Sequence, residues 1–362
     1  MSQSIPDQLL SLVLPQFGYA REDCHISLLG NGLINNTYLV KTEDKSFVLQ
    51  RINQQVFNKP LDVINNADLL SSHLNAKCLQ HSYPLKPIRQ LRSEAQNNHA
   101  KIQGQYWRSL QYIEHCYTVE AITSLKQAHY VASAFAQFTA ALSDFNSENL
   151  AEIIPQFHDV SLRIKQLQQA MVSTTEALLL DAQASIDFIL SQQDFIDNIA
   201  EITAKLPKRV THNDTKINNL LFSKATNKPI AVIDLDTCMA GYLMHDFGDM
   251  VRSCCPSIAE DSAELAQMSI DFTMLKTLTQ AYIAGFNGAL SDLERRSLLL
   301  GIKLMPFMLG IRFLTDFLNG DKYFKINYPR HNLVRAKNQL HLYQLFAQHE
   351  TLLGKIVLAP IT

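Results

Sequence analysis

A chain of 362 residues exceeds what one ordinary hydrophobic core supports and suits two lobes or domains. With 47% hydrophobic and 18% charged residues it reads as a folded globular protein, which excludes an intrinsically disordered one. A formal net charge of −2 supplies no global field toward nucleic acid or an acidic membrane, so a small-molecule partner is expected.

Taken in chain order, Met1 to Pro15 lacks a basic region followed by an apolar run and cleavage site, so no signal peptide is expected. Ile26 to Leu29 is β-rich, Gly30-Asn31-Gly32 breaks it, and Thr37 to Val40 resumes it. Glu43-Asp44-Lys45 is a polar turn before Phe47-Val48-Leu49, which predicts a three-strand meander. A helix is expected over about Leu61 to Leu74. Ala95 to His99 is polar, and Tyr106 to Ile113 reads as a buried strand.

Beyond Glu114 the texture changes. Val131, Phe135, Phe138, Leu142 and Phe145 recur at helical spacing, and helical patterns return over Ile186–Leu206, Leu265–Phe286 and Arg296–Leu318. One β-like patch, Asn219 to Phe222 and Ile230 to Ile233, lies between them. Leu298 to Leu318 is apolar enough to suggest a membrane span, but Lys303, Pro306, Arg312 and Asp316 interrupt it, so a buried helix is expected. The six cysteines form no C-x-x-C pair and no zinc spacing with histidine, which fits reduced thiols in a cytoplasmic protein. The expected fold is α+β: a small β-rich N-lobe over residues 1–113 and a larger, mainly helical C-lobe over 114–362, with a ligand cleft between them.

The sharpest chemical signal is Thr211-His212-Asn213-Asp214-Thr215-Lys216-Ile217-Asn218-Asn219, followed by apolar Leu220-Leu221-Phe222. Phosphoryl transfer needs this grammar: a carboxylate to take the proton of an attacking hydroxyl, and an amide oxygen to hold a magnesium ion without adding charge. Asp214 is the expected base, Asn219 the expected metal ligand, and His212 a buttress of the loop. Ile230 to Asp236 then places Asp234 and Asp236 at the end of an apolar strand, where carboxylates hold Mg²⁺ between phosphates. Asp236 reads equally well as a structural hydrogen-bonding partner.

The His-x-Asp-x-x-x-x-Asn loop with Ile-Asp-x-Asp resembles the aminoglycoside phosphotransferase and choline kinase superfamily, which implies a bilobal protein-kinase-like fold and the use of ATP and Mg²⁺. Gly30 to Tyr38, Val48 to Asn53, His212 to Asn219 and Tyr323-Phe324-Lys325 are more closely similar to the N-acetylhexosamine 1-kinases. That group phosphorylates the anomeric hydroxyl of N-acetylglucosamine and N-acetylgalactosamine, and the similarity runs from about Ile26 to Gln339.

By this resemblance Gly30 and Gly32 form the turn over the ATP phosphates, and Gln111-Tyr112-Ile113 is the hinge whose backbone binds adenine. The strand that carries the phosphate-contacting lysine of protein kinases matches Phe47 to Arg51, but the lysine's place falls at Gln50 or Arg51. Arg51 can supply charge to the phosphates and Gln50 cannot. The acidic partner of this cation is expected at Asp62 or Asp68. Asp246-Phe247-Gly248 reads as a downstream segment whose Asp246 anchors the catalytic loop, because Asp234 already fills the magnesium role.

The acceptor site is expected in the polar stretch that holds Arg312, Asp316 and Tyr323. Aromatic, amide and charged groups together suit a sugar, and the surplus of Lys and Arg speaks against polycationic aminoglycosides. A kinase for choline, another amino alcohol or another sugar is the rival reading. A nucleotide-binding pseudokinase is a further one, favoured by the missing lysine and opposed by intact Asp214, Asn219 and Asp234. A protein kinase is disfavoured, because no long activation segment ending in Ala-Pro-Glu follows Asp234.

Overall fold

The computed structural model describes residues 7–30 and 34–360. The chain forms two compact units, each assembled from three stretches of sequence. The first comprises Met1–Val119, Gln137–Ile154 and Asn218–Ala240, and the second Glu120–Ala136, Pro155–Ile217 and Gly241–Thr362. This differs from a single boundary after Ile113, because the hairpin that ends in Asp234 packs as part of the first unit.

In the first unit α1 (Asp7–Val13) lies against an antiparallel sheet of β1 (His25–Leu28), β2 (Asn36–Lys41), β3 (Ser46–Arg51), β4 (Gln90–Leu91), β5 (Ala100–Ile102) and β6 (Gln105–Gln111). The strand order is β1-β2-β3-β6-β4, with β5 also paired to β6. Side chains alternate across a strand, so Phe47, Leu49 and Trp107 enter the core with Leu10 and Val13. The opposite face carries a polar stripe: Thr37 pairs with Gln50, and Gln50 with Arg108.

The expected helix after the meander is α2 (Pro60–Leu79). Proline at its first turn presets the backbone, and Val63, Ile64, Ala67, Leu70 and Leu74 form its buried stripe. The two-residue strand β7 (Cys116–Tyr117) pairs with Leu220–Ser223, which pairs in turn with Pro229–Val232. The Lys86 amide donates to the Ile230 carbonyl at 2.7 Å and ties this hairpin to the segment after α2.

The second unit is helical. After α3 (Leu125–Ala141), which runs through the boundary at Ala136, come α4 (Val160–Ser173), α5 (Glu176–Leu190), α6 (Gln193–Thr203), α7 (Leu243–Cys254), α8 (Phe272–Gly285), α9 (Asp292–Leu318), α10 (His331–Gln348) and α11 (Glu350–Val357). The predicted Ile186–Leu206 helix is two helices, because the chain turns at Ser191, whose hydroxyl bonds the Phe188 carbonyl. The predicted Leu265–Phe286 helix starts only at Phe272, where Asp271 caps it by accepting from the Met274 amide. α9 starts from a capping box formed by Ser291 and Glu294. It is long and apolar enough to cross a membrane by length and composition, yet most of it is buried in the core of this unit.

α7 and α9 cross where two glycines meet. A Cβ on Gly248 would strike the Gly301 carbonyl, and one on Gly301 would strike that of Met244. Gly248 is therefore a helix-packing residue, and the Asp-Phe-Gly string lies within α7 rather than in a metal-binding loop.

Candidate active site

In the first unit the polar stripe of the sheet ends on the carboxylate of Asp236, just beyond the hairpin. Arg108 and Asp236 are each 3% exposed and form an ion pair through Nη2 and Oδ1. Gln50 Oε1 accepts from Arg108 Nε and Nη2 at 2.8 and 2.5 Å, and Gln50 Nε2 donates to Thr37 Oγ1 at 2.9 Å. The second oxygen of Asp236 accepts from Asn35 Nδ2 at 2.6 Å. Both oxygens of Asp236 are thus engaged by side chains, which matches the structural hydrogen-bonding role that the sequence also offered for it.

Asn219 and Asp234 lie at the two ends of the hairpin. The Ile233 amide donates to the Asn219 carbonyl at 3.0 Å, which brings their chain segments together. Asp234 is left-handed, with φ 61° and ψ 57°, a region that aspartate enters more readily than most residues. Among the described residues no group of three or more His, Cys, Asp or Glu could hold a metal by itself. One carboxylate and one amide oxygen fit Mg²⁺, which keeps water and phosphate oxygens as its other ligands.

Arg51 lies on the sheet face opposite Gln50, and its Nε and Nη2 donate to Asn36 Oδ1 at 3.2 and 2.7 Å. By the pleat Gln50 shares its face with Arg108 of the neighbouring strand, and Arg108 carries the positive charge that pairs with Asp236. Of the two acidic residues expected on α2, Asp68 pairs with Arg92 at 2.9 Å. Gly30 is left-handed at φ 71°, as a tight turn requires, and Gly32 lies outside the described residues. At the expected hinge, the Gln111 amide donates to the Arg89 carbonyl at 2.8 Å, Tyr112 follows the end of β6, and buried Ile113 accepts the Cys116 thiol through its carbonyl.

In the second unit the loop that carries Asp214 is built over Asp246. Its Oδ2 accepts from the His212 amide at 2.8 Å and its Oδ1 from the Asn213 amide at 2.7 Å. Thr215 Oγ1 donates to the Asp246 carbonyl at 2.6 Å, so three loop positions hang on the first turn of α7. Burial pushes the Asp246 carboxyl up to about 7, against the two amides that favour its charge. Asn213 takes the left-handed conformation, and the buried His212 ring meets Phe135 edge-on at 5.3 Å. The loop thereby presents half-buried Asp214, with Lys216 Nζ 2.9 Å from its Oδ1. The Lys216 side chain is exposed, and its pKa is raised: partial desolvation acts to lower it, and Asp214 and Asp249 more than offset this. Lys216 escaped the sequence reading, although its place two residues after Asp214 was legible.

The polar stretch from the last turns of α9 onward divides into a scaffold and a surface. Asp316 is buried and accepts from the amides of Lys322, Tyr323 and Phe324 at 3.0, 2.8 and 2.9 Å, and from Asn332 Nδ2 at 3.0 Å. Its carboxylate thereby holds the loop that carries Tyr323. Tyr323 stands out at 67% exposure. The Arg312 guanidinium lies 5.3 Å from the Phe157 ring centre, 5.7 Å from that of Tyr323 and 5.3 Å from that of Phe324. Burial lowers the Arg312 pKa, and Tyr323 partly restores it.

Residues 25–275 match the model of the phosphotransferase enzyme family APH. The chain belongs to this family. The phosphotransferase is also similar in structure to an aminoglycoside phosphotransferase from Alicyclobacillus acidocaldarius, with TM-score 0.59 and 12% identity over 99% of this chain and 98% of that one. Choline kinase from Cryptosporidium parvum aligns with TM-score 0.57 and 11% identity over 96% and 98%. A spectinomycin phosphotransferase solved with ADP and spectinomycin aligns with TM-score 0.54 and 11% identity over 99% of each chain. The α+β fold is protein-kinase-like, and the phosphotransferase is a small-molecule kinase by family.

Proposed function

We propose that this phosphotransferase moves the γ-phosphoryl group of ATP to the anomeric hydroxyl of an N-acetylhexosamine. Asp214 takes the hydroxyl proton, Asn219 and Asp234 hold Mg²⁺, the backbone at Gly30 cradles phosphate, and the backbone of Gln111 to Ile113 receives adenine. The ion neutralises phosphate oxygens when bound, and the protein supplies position and fixed charge.

The choice of acceptor rests on Arg312. Kinases for choline or aminoglycosides must hold a cation, and aromatic faces are the natural place for one. Here the faces of Phe157, Tyr323 and Phe324 already hold a guanidinium, so a cationic acceptor would meet like charge. A neutral ring with hydroxyl and amide groups meets an exposed tyrosine and a charged donor instead.

The test is an acceptor panel with ATP and Mg²⁺, read by ADP release: N-acetylglucosamine, N-acetylgalactosamine, their methyl glycosides, choline, ethanolamine and kanamycin. The free sugars should be phosphorylated, the methyl glycosides should not, and ³¹P NMR should show an anomeric phosphate. A higher kcat/KM for choline, ethanolamine or kanamycin would overturn the assignment.

A further inference from the structure

Arg108 sits mid-strand in β6, buried between Trp107 and Ser109, where a charge is not expected. A buried guanidinium persists only when paired, and this one is braced twice, on Gln50 and on Asp236. The network goes further. Asp236 also holds Asn35, whose Oδ1 accepts from the Asn53 amide at 2.8 Å, and Gln50 holds Thr37. One chain of polar contacts therefore joins β2, β3, β6 and the residue two places beyond Asp234. Asp234 keeps a left-handed backbone, which neighbours must impose. The Ile233–Asn219 bond holds one side of it, and the Asp236–Arg108 pair the other.

We propose that Arg108 is a positioning residue for Mg²⁺ and nucleotide: it clamps Asp236 and so fixes both Asp234 and Asn35 beyond the Gly30 turn. It takes over the task of the missing strand lysine without touching phosphate itself. This rests on the phosphotransfer reading above. The charge sits one strand further on, and its acidic partner comes from the metal-bearing hairpin rather than from α2. Metal site and sheet are thereby tied directly to each other.

The experiment uses the full-length protein and four variants, Arg108→Met, Arg108→Lys, Gln50→Leu and the double variant Arg108→Met with Asp236→Leu. Folding is checked by thermal melting, ATP affinity by calorimetry in Mg²⁺, and turnover over a Mg²⁺ titration. Arg108→Met should raise the Kd for Mg·ATP and the Mg²⁺ half-saturation at least tenfold, with acceptor KM within twofold. Arg108→Lys should recover part, since an ammonium reaches Asp236 but cannot also brace on Gln50. The double variant should regain melting temperature yet keep the raised Kd, whereas a merely structural pair would regain both. A folded Arg108→Met with wild-type Kd and Mg²⁺ dependence overturns the proposal, as does a double variant with wild-type Kd. Should Arg108→Met fail to fold, Arg108→Lys and Gln50→Leu decide: a threefold or larger rise in Mg²⁺ half-saturation supports it, and wild-type values in both overturn it. Wild-type protein that neither binds Mg·ATP nor releases ADP on the acceptor panel sinks the phosphotransfer reading itself. An active wild type with indifferent variants sinks this inference alone.

Discussion

Lys216 and Asp214 form an ion pair in a loop whose backbone hangs on Asp246, and this shapes what each residue can do. Asp214→Asn keeps the side-chain volume but cannot take a proton. Turnover should fall by about 10²–10⁴-fold while calorimetric Mg·ATP affinity stays near wild type. Near-normal turnover would remove Asp214 from the mechanism. Asp246 makes a second prediction, because its folded pKa of about 7 stands above the unfolded 3.8. The folded state then holds an extra proton between about pH 4 and 7, so this group loses stability as pH rises and returns it as pH falls. His158 and His245 oppose it. Burial lowers both, His245 to about 3, and for His158 the neighbouring His245 and Arg312 add to the effect. Below about 6.5 the unfolded chain protonates these histidines first, and stability falls with pH. Each group contributes a slope of up to about 1.4 kcal/mol per pH unit, two against one. Asp246→Asn removes the compensating term, so its melting temperature should drop more steeply from pH 7 to pH 5 than that of the wild type. Parallel slopes would show that Asp246 does not titrate there.

Among the elements, the crossing of α7 and α9 depends on the absence of two side chains. Gly301→Ala places a Cβ against the Met244 carbonyl, which is backbone and cannot swing away. Overpacking of this kind costs about 1–3 kcal/mol, and Gly301→Ala should lower the urea midpoint accordingly. An unchanged midpoint would mean that the helices separate without loss. The sequence announced α9 through its apolar period but said nothing of this crossing, which is fixed by a partner some fifty residues away. The same holds at the end of α9. Asp316 looked like an acceptor contact because it sits among polar residues, yet its environment is set by three backbone amides of a loop that only folding brings to it. Strands β1, β2, β3 and β6 were legible, since turn residues punctuate them and a pleat has period two. Arg108 left one signal, a charge inside an apolar strand, but its meaning required Asp236, 128 positions later.

For the whole molecule, the change from strand-rich to helix-rich texture was visible near Glu114, while the interleaving of the two units was not. The first unit closes only when Asn218–Ala240 returns to it. Asn66 of α2 donates to the carbonyls of Ala151 and Cys238 at 2.8 and 3.0 Å, β7 pairs with Leu220–Ser223, and Arg108 finds its counter-ion in Asp236. These contacts span 85 to 172 positions, beyond any local pattern. A truncated chain of residues 1–119 keeps every strand of the large sheet and loses all three sets of contacts. Leaving one partner of a buried ion pair alone costs about 3–5 kcal/mol. A domain's whole stability is about 5–15 kcal/mol, and the lost packing comes on top. The 1–119 fragment should therefore show no cooperative thermal transition by circular dichroism and no Mg·ATP binding by calorimetry. A fragment that melted cooperatively and bound Mg·ATP would show that the hairpin is dispensable to its unit, and that the charge of Arg108 is balanced within the sheet.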